Sequence, residues 1–367
     1  MEIFFVAITA GFLLLHIYLY KGLSKSVALD EIVSTDLPSI TIIVAGRNEE
    51  SNIVNCINSL SEIKYPKDKL QIILVNDKST DSTLALMQEH TLQKQQFLVI
   101  TSRESSNSNL RGKANAIDTA IEISNGEVIL MTDADCTVQQ SWALNTVKHF
   151  MPDVSMVCGF TLIKSSNSLF AKLQCLDWIY LLTLASSSCG LGMIMSCIGN
   201  NLAFTKEAYN SVGGYSAIGF SVTEDLALMR NINKLKNKRI VYPISYESLV
   251  MTDPCKTVNE LSSQKRRWFR GGTGINFLGY VTGFELYTAN ILIAAGYFLI
   301  GFKLWLMLTS IVVLSLLLLM SSTATRLRSV SLFAYFPLFV IYFSIYGLLL
   351  PLSFIFGTKI NWKGRKF

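Results

Sequence analysis

The sequence predicts an α/β fold with a mostly parallel sheet, joined to membrane helices at both ends of the chain. Two observations lead to this prediction. Short apolar runs alternate with helix-like stretches in the middle of the chain, which is typical of parallel strands covered on both faces. In addition, 50% of the 367 residues are hydrophobic and the mean hydropathy is positive, which is too rich for an ordinary soluble protein.

The predicted strands end in polar residues. The apolar runs lie at residues 40–45, 70–75, 97–100 and 128–131. The last run is followed by Asp133-Ala134-Asp135, which places two carboxylates one residue apart. In an open parallel sheet, ligands bind outside the carboxyl ends of the strands. The sequence therefore places its candidate binding residues along this edge of the sheet.

Apolar segments lie at both ends of the chain. Residues 1–22 form a predicted transmembrane helix, because about 20 apolar residues cross a bilayer, and the lysines that follow favour a cytosolic exit. Residues 37–280 form the predicted cytosolic domain, and residues 286–356 form the C-terminal membrane segments. We interpret residues 286–320 as a tight pair of helices and residues 332–356 as one more. Residues 357–367 are a basic tail.

The sequence leaves the side of the C-terminus open. Three C-terminal crossings would place the basic tail outside the cell, against the usual distribution of Lys and Arg. Either the last segment, which contains Pro337 and Pro351, is re-entrant or interfacial, or residues 286–320 cross only once. In both cases we expect a multi-pass protein of the cell membrane whose middle domain faces the cytosol.

Composition disfavours two other kinds of site. The formal net charge is +6, but the basic residues cluster beside the apolar segments, which favours anionic lipid head groups over nucleic acid. Seven cysteines form no Cys-x-x-Cys pair and there are three histidines, so a zinc site is not expected. Metal or acid–base chemistry would therefore depend on carboxylates.

Asp133 and Asp135 are the candidates for a metal site. Two neighbouring carboxylates repel each other, and a divalent cation between them removes the repulsion. Mg²⁺ or Mn²⁺ prefers oxygen ligands and is often bound by one or two carboxylates together with substrate phosphates. The alternative is a solvated turn at the strand end, because aspartate is common in turns.

Three further motifs contain candidate site residues. Asp77 ends the second strand, where a carboxylate can accept hydrogen bonds from a nucleobase or a ribose. Lys113, in Arg111-Gly112-Lys113, opens the next helix with donors that suit a diphosphate. Asp225, in Thr223-Glu224-Asp225, is by itself more typical of a helix start than of a catalyst.

The stretch Gln264-Lys265-Arg266-Arg267-Trp268 is more specific. On a helix, Gln264, Arg267 and Trp268 lie close together and offer a neutral donor, a cation and a flat apolar face to one ligand. Such a set suits a sugar nucleotide or a growing glycan. The alternative is a basic helix lying on the membrane, and we expect Lys265, Arg266 and Arg270 to contact the membrane surface in either case.

Together these motifs resemble a known signature. The ordered set of Asp77, Asp133-Ala134-Asp135, Thr223-Glu224-Asp225 and residues 264–268 resembles the D, DxD, TED and QxxRW motifs of membrane-bound family 2 glycosyltransferases. That group includes cellulose, hyaluronan and chitin synthases, ceramide glucosyltransferase and bacterial lipid glycosyltransferases. Residues 45–50 resemble its first-strand motif, and Gly199-Asn200-Asn201 resembles its acceptor-side segment. The resemblance implies a GT-A type domain that binds a nucleotide sugar.

The resemblance also implies roles for single residues. Asp225 would be the general base that deprotonates the acceptor hydroxyl, and its place at a helix start would help to keep it ionised at neutral pH. Asp133 and Asp135 would bind Mg²⁺ or Mn²⁺, which offsets charge on the leaving diphosphate. The nucleotide-sugar side would comprise Arg47, Glu49, Asp77, Lys113 and Asp133. The acceptor and diphosphate side would comprise Asn200, Asn201, Glu224, Gln264, Arg267 and Trp268.

The expected activity is inverting transfer of a sugar from a nucleotide sugar, a UDP-sugar, to a membrane-associated acceptor. A lipid acceptor is favoured because the C-terminal membrane set is modest, and because the ending Asn361-Trp362-Lys363-Gly364-Arg365 resembles that of some bacterial lipid glycosyltransferases. One alternative is a processive polysaccharide synthase. An alternative of another class is an inactive nucleotide-binding scaffold in a polysaccharide assembly. No nucleic-acid partner is expected.

Overall fold

The strands and helices alternate along the middle of the chain. The structure is a computed structural model that describes residues 1–29, 37–164, 167–272, 274–355, 361–362 and 365–366. Its strands are β1 (Ile40–Gly46), β2 (Leu70–Asn76), β3 (Phe97–Thr101), β4 (Val128–Asp133), β5 (Cys136–Val138), β6 (Val154–Cys158), β7 (Thr161–Ile163), β8 (Leu202–Thr205), β9 (Arg239–Val241), β10 (Val250–Thr252), β11 (Asn361–Trp362) and β12 (Arg365–Lys366). Its helices are α1 (Glu2–Ala28), α2 (Ile53–Ser61), α3 (Thr83–Thr91), α4 (Lys113–Glu122), α5 (Trp142–Val147), α6 (Leu169–Gly190), α7 (Lys206–Ser211), α8 (Gly214–Ile218), α9 (Glu224–Ile232), α10 (Val258–Gly271), α11 (Phe277–Ile300), α12 (Phe302–Arg326) and α13 (Phe336–Ile355).

The four predicted strands form the parallel half of the main sheet. The strand order is β3-β2-β1-β4-β8-β6-β9, and β1 pairs in parallel with both β2 and β4, while β3 pairs in parallel with β2. β8 runs antiparallel to its neighbours β4 and β6. A second sheet has the order β5-β10-β7. The prediction of a mostly parallel α/β fold is therefore confirmed, and the carboxyl ends of β1, β2 and β4 meet at one edge.

Both faces of the main sheet are buried. Successive residues of a strand point to opposite faces, so the two faces receive alternate residues of β1. Ile42 and Val44 pack in one apolar cluster with Ile57 of α2, whereas Ile43 packs in a second cluster with Ile117 of α4. This second cluster continues into the long apolar helices. The sheet and the helical part of the molecule therefore share one core.

Within the described residues, five helices are long and apolar enough to cross a membrane: α1, α6, α11, α12 and the segment Val330–Pro351, which contains most of α13. α11 and α12 are the predicted tight pair, joined at Gly301 alone, whose φ of 77° lies in the left-handed region. The Trp305 indole N–H, near the start of α12, lies 3.1 Å from the Leu292 carbonyl of α11, as expected for a helical hairpin. α11 begins at Phe277, ahead of the predicted residue 286, because the Asn276 side chain caps its first turn.

α6 was not predicted as part of the helical layer. It packs against α1 at two glycines, since a Cβ on Gly22 would lie 2.0 Å from the Ser187 carbonyl oxygen and one on Gly190 would lie 2.0 Å from the Gly22 carbonyl oxygen. The Thr183 hydroxyl is 2.9 Å from the Thr323 hydroxyl of α12. Small residues allow such close helix approach in apolar surroundings. The Ser and Cys content of α6 hid this role from the hydropathy pattern.

The basic tail is described only in part. Asn361–Trp362 and Arg365–Lys366 pair as a short antiparallel ribbon. The predicted Lys363-Gly364 part of the ending lies outside the described residues.

Candidate active site

One large cavity lies at the carboxyl ends of β1, β2 and β4. Its volume is about 1360 Å³, and its walls come from the strand ends, the residues before β8, the start of α9, α10, and the faces of α6, α11 and α13. Most of the predicted site residues line it, namely Arg47, Glu49, Asp77, Lys113, Asp133, Asp135, Asn200, Glu224, Asp225, Gln264, Arg267 and Trp268. The fold therefore assembles in one place residues that lie far apart in the sequence.

The turns after β1 and β2 fix each other. The Arg47 guanidinium donates to the carbonyls of Asp77 at 2.9 Å and Lys78 at 3.0 Å. Asn48 and Lys78 both have left-handed backbones, with φ of 53° and 56°. The Asn48 side-chain oxygen accepts a hydrogen bond from the Thr80 N–H at 2.9 Å. In this structure Arg47 therefore positions the turn that presents Asp77, and direct contact with a nucleotide stays a prediction.

The carboxylates of Asp77 and Glu49 are buried at the cavity wall. Asp77 is 4% exposed, and its carboxylate accepts a hydrogen bond from the Ser102 hydroxyl at 3.3 Å. The Glu49 carboxylate accepts one from the Asn52 amide at 3.0 Å. Neighbouring side chains thus hold both carboxylates in place at the cavity wall.

Lys113 links two of the predicted motifs. It is the first residue of α4 and follows Gly112, whose φ of 56° favours glycine. Its ammonium lies 2.5 Å from an Asp133 oxygen and 3.3 Å from a Glu224 oxygen. Burial opposes the charge, but the charges of Asp133 and Glu224 raise the pKa of Lys113 well above its ordinary value. The Lys113 ammonium therefore lies between the DxD and TED motifs.

Asp133 and Asp135 fit a divalent cation that also binds substrate oxygens. Both line the cavity, and the Asp133 side chain is 33% exposed. Across the ranges that the structure describes, no group of three or more His, Cys, Asp or Glu side chains could hold a metal by itself. Two carboxylates without a third protein ligand suit Mg²⁺ or Mn²⁺, which commonly take their remaining ligands from phosphates and water.

Asp225 is the second residue of α9, and its surroundings raise the pKa of its carboxyl group. Burial and the neighbouring Glu224 raise the pKa of Asp225 to about 6, while Lys113 and Arg267 act in the opposite direction. Its position in the first turn of the helix does not keep the pKa at its ordinary value, because desolvation outweighs the favourable dipole. With a pKa of about 6 the carboxylate is still mostly ionised at neutral pH, as expected, but it is closer to the pKa that suits a general base than an ordinary aspartate would be.

Gly199 is a site residue that the sequence analysis named only as part of a segment. A Cβ at this position would lie 2.9 Å from a carboxylate oxygen of Asp225. Only glycine leaves room for the carboxylate in this arrangement. The requirement could not be seen in the sequence, because residues 199 and 225 meet only in the folded chain.

The two predicted acceptor-side asparagines lie in different places. Asn200 lines the cavity, and its side-chain oxygen accepts a hydrogen bond from the Thr161 hydroxyl at 2.7 Å. Asn201 is 1% exposed, and its amide donates to the carbonyls of Phe160 at 2.7 Å and Ser248 at 2.9 Å. Its oxygen accepts from the Trp142 indole at 3.0 Å. The structure thus places Asn201 in the core, where all of these bonds are internal.

α10 presents Gln264, Arg267 and Trp268 to the cavity. The helix is capped by Thr257, whose hydroxyl accepts a hydrogen bond from the Glu260 N–H at 3.2 Å. The prediction that Lys265 contacts the membrane surface is wrong. Lys265 is 5% exposed and forms an ion pair with Asp177 of α6, because it lies on the side of α10 that faces α6 and α13.

The far wall of the cavity is apolar and was not predicted. On α11 the lining residues include Gly279, Gly283 and Leu286, which share one helix face, and a Cβ added at Gly283 would meet nothing within 4 Å. Leu182 of α6 and Leu350 of α13 also line this wall. The polar edge of the sheet and these apolar helix faces therefore line one continuous cavity.

Family comparisons agree with this geometry. Residues 41–213 match the model of glycosyl transferase family 2, and residues 128–351 match the model of glycosyl transferase family group 2. The second match covers more than half of the chain. The chain belongs to the family 2 glycosyltransferases. Its α/β domain is accordingly of the GT-A type, as the motifs suggested.

Two curated relatives of this glycosyltransferase make different products. Over 242 residues the chain is 28% identical to the poly-beta-1,6-N-acetyl-D-glucosamine synthase of Staphylococcus aureus, covering 65% of this chain and 55% of that protein. It is 24% identical over 242 residues to the beta-monoglucosyldiacylglycerol synthase of a Nostoc species, covering 65% and 50%. The chain thus spans about half the length of these relatives.

A solved structure shares the fold along nearly the whole chain. It is a mannosyltransferase from Pyrobaculum calidifontis in complex with GDP-Man and Mn²⁺. The TM-score is 0.57 at 19% sequence identity, and the alignment covers 95% of this chain and 98% of that one. The likeness extends beyond the α/β domain to the helical part.

Proposed function

We propose that this glycosyltransferase transfers a sugar from a UDP-sugar to a membrane lipid, with Asp225 as the general base and inversion at the anomeric carbon. The observation that supports the proposal is the continuity of the cavity. Strand-end carboxylates and Lys113 line one part, and the apolar faces of α6, α11 and α13 line the other. Asp225 lines the same cavity within electrostatic reach of Lys113 and of Arg267 on α10.

The polar part of the cavity suits the donor. Asp77 would accept hydrogen bonds from the nucleobase or ribose, and the Lys113 ammonium would contact the diphosphate. Asp133 and Asp135 would hold Mg²⁺ or Mn²⁺, which when bound supplies positive charge that offsets the charge developing on the leaving diphosphate. Arg267 would add a second cation on the acceptor side of the diphosphate.

In the chemical step, Asp225 takes the proton from the acceptor hydroxyl as its oxygen attacks the anomeric carbon of the donor. The new carbon–oxygen bond forms as the bond from that carbon to the diphosphate breaks, and UDP leaves with both bonding electrons. Attack from the side opposite to the leaving group inverts the configuration. A base with a pKa of about 6 is mostly ionised at neutral pH and still accepts a proton readily.

The apolar wall supports a lipid acceptor. Its helices are among those long and apolar enough to cross a membrane, so a lipid could place its hydroxyl near Asp225 while its tail stays against apolar side chains. Lys21 and Lys25, near the end of α1, support a cytosolic position for the α/β domain. We therefore propose a multi-pass membrane enzyme whose donor site faces the cytosol.

A processive polysaccharide synthase is the second candidate. Trp178 and Trp268 line the cavity with their rings 5.5 Å apart, and indole faces suit the apolar faces of sugar rings. One curated relative is a polysaccharide synthase and another is a glycolipid synthase. Both candidates use the same chemistry at Asp225, so the product distinguishes them. An inactive scaffold is disfavoured because each expected carboxylate lies at the cavity.

The test uses membranes that contain the native chain or its Asp225→Asn variant. Each sample receives radiolabelled UDP-sugars, Mg²⁺ or Mn²⁺ and candidate acceptor lipids, and the label is then partitioned between organic solvent and a high-molecular-weight aqueous fraction. We expect label in the organic phase that the variant loses. Asp225-dependent label in long polymer would instead establish a synthase. No Asp225-dependent label in either phase would contradict the enzymatic proposal and favour the scaffold.

A further inference from the structure

The helix α6 contains a carboxylate that is fully buried outside the donor site. Asp177 is 0% exposed, and its two oxygens have different partners. One oxygen forms an ion pair with Lys265 of α10, and the other accepts a hydrogen bond from the Tyr346 hydroxyl of α13 at 2.5 Å. The Asp177 carboxylate therefore joins three helices that are far apart in the sequence.

The Lys265 ammonium is enclosed by aromatic rings as well as by this carboxylate. It lies 4.9 Å from the ring centre of Trp268 and 5.2 Å from that of Tyr346. Cation–π contacts of this kind are strongest where water is excluded. Trp268 in turn packs edge to face on Trp178, with ring centres 5.5 Å apart. The indole of Trp268 is thus fixed from two sides.

One turn earlier on α6, a second contact joins this helix to the segment just before α10. Gln174 is 1% exposed, and its amide donates to the Cys255 carbonyl at 3.0 Å and accepts from the Cys255 N–H at 2.9 Å. Gln174, Asp177 and Trp178 are spaced so that they share one face of α6. This face therefore holds both the segment before α10 and the middle of α10 itself.

The residues around Asp177 lie at the cavity, which indicates a role in acceptor binding and not in stability alone. Trp178, Lys265, Trp268 and Tyr346 all line the cavity, and α10 also presents Gln264 and Arg267 to it. A buried ion pair is weak evidence for stability, because well-packed apolar groups can often replace it without loss. What such a pair does supply is a defined geometry, here the rotation of α10 about its own axis.

We infer that Asp177 is a positioning residue for the acceptor: through Lys265 it fixes α10 so that Gln264, Arg267 and Trp268 face the acceptor hydroxyl. Asp177 itself is buried behind the cavity wall, so it acts through these residues and not by contact with substrate. The inference rests on the proposed function, since that function places the acceptor beside α10.

The test compares steady-state kinetics of the purified full chain and three variants in detergent, with acceptor lipid and UDP-sugar varied separately. Asp177→Asn should raise the KM for the acceptor by about tenfold or more, because small misplacements of positioning groups are costly. The KM for the donor should rise much less than the KM for the acceptor, because only Arg267 of the proposed donor groups lies on α10 and the others lie on other elements. Tyr346→Phe removes one hydrogen bond and keeps the ring, so it should produce a smaller change in the same direction.

The matched control is Asp153→Asn, which removes the carboxylate partner of Arg239 at the far edge of the sheet, where both side chains are exposed. It should leave both KM values unchanged. If Asp177→Asn fails to fold, Tyr346→Phe decides the matter. A folded variant with an unchanged acceptor KM, or with equal changes in both KM values, would overturn the inference. If the native chain showed no Asp225-dependent transfer, the proposed function itself would be contradicted.

Discussion

The proposed donor side and the proposed acceptor side of the cavity are built in different ways. The donor side consists of polar residues at the ends of β1, β2 and β4, within the sheet of the α/β domain. The acceptor side consists of faces of α6, α10, α11 and α13, which meet only through long-range packing. We therefore expect binding of the charged donor and binding of the acceptor to respond separately to substitution.

The largest effect is expected for substitution of Asp225, the residue that the two sides share. Asp225→Asn should lower kcat by about 100- to 10,000-fold, because it removes the general base. Donor binding should persist, since Asp77 and Lys113 are unchanged. Calorimetric titration with UDP together with turnover assays would measure both. The exposed Asp68→Asn is the matched control and should behave like the native chain. Equal loss of donor binding and turnover would mean that Asp225 only supports the fold.

The second prediction concerns Asp133 and Asp135, the proposed metal ligands. Chelation of divalent cations should abolish turnover, and Mg²⁺ or Mn²⁺ should restore it. Asp135→Asn should weaken Mn²⁺-dependent binding of UDP by at least about tenfold, and binding of the acceptor lipid should not change. Titration of UDP with and without Mn²⁺ tests this directly. Full turnover in the presence of excess chelator would rule out the metal role of these carboxylates.

The third prediction concerns the pH dependence of kcat/KM, which the Lys113 ammonium between the DxD and TED motifs should influence. Because the base must be deprotonated, kcat/KM should rise with pH through about 6 and fall about tenfold for each pH unit below that value. Lys113 lowers the pKa of Asp225, so Lys113→Met should move the acid limb to higher pH. The exposed Lys67→Met should not move it. An acid limb that stays in place in Lys113→Met would show that another group is titrating.

The smallest effect is expected for a substitution in the apolar wall of the cavity. Only the KM for the acceptor should change. Gly283→Leu places a side chain where a Cβ meets nothing within 4 Å, so the helix should tolerate it while the cavity becomes narrower. The KM for the acceptor lipid should rise about tenfold, and the KM for the UDP-sugar should not change. Ala294→Leu, on an exposed part of α11, is the control. A change in the donor KM alone would contradict the division between the two sides.

The position of the strand-end residues at the cavity could be predicted because its determinants are local. An apolar strand followed at once by Asp77 or by Asp133-Ala134-Asp135 indicates both the strand and the edge at which it ends. The acceptor side depends on contacts that no local pattern contains. Lys265 looked like a surface residue in a basic stretch, yet its partner Asp177 lies on α6, which the hydropathy pattern did not assign to the helical layer.

The raised pKa of Asp225 is another property that the local sequence pattern does not contain. The helix start was correctly predicted from Thr223-Glu224-Asp225, but the pKa is set by burial and by Glu224, Lys113 and Arg267. Of these groups only Glu224 is a neighbour in the sequence. The close approach of Gly199 to the carboxylate is likewise a property of the folded chain.

Identification of the product would decide both the acceptor and the role of Asp225. Native chain in membranes would be incubated with UDP-sugar, a divalent cation and acceptor lipid, and the organic-soluble product would be analysed by mass spectrometry and by NMR of its anomeric proton. We expect a lipid with a single added sugar whose anomeric configuration is opposite to that of the donor. A product with retained configuration would contradict Asp225 as the base of a direct displacement, and a long polymer as the sole product would contradict the lipid acceptor.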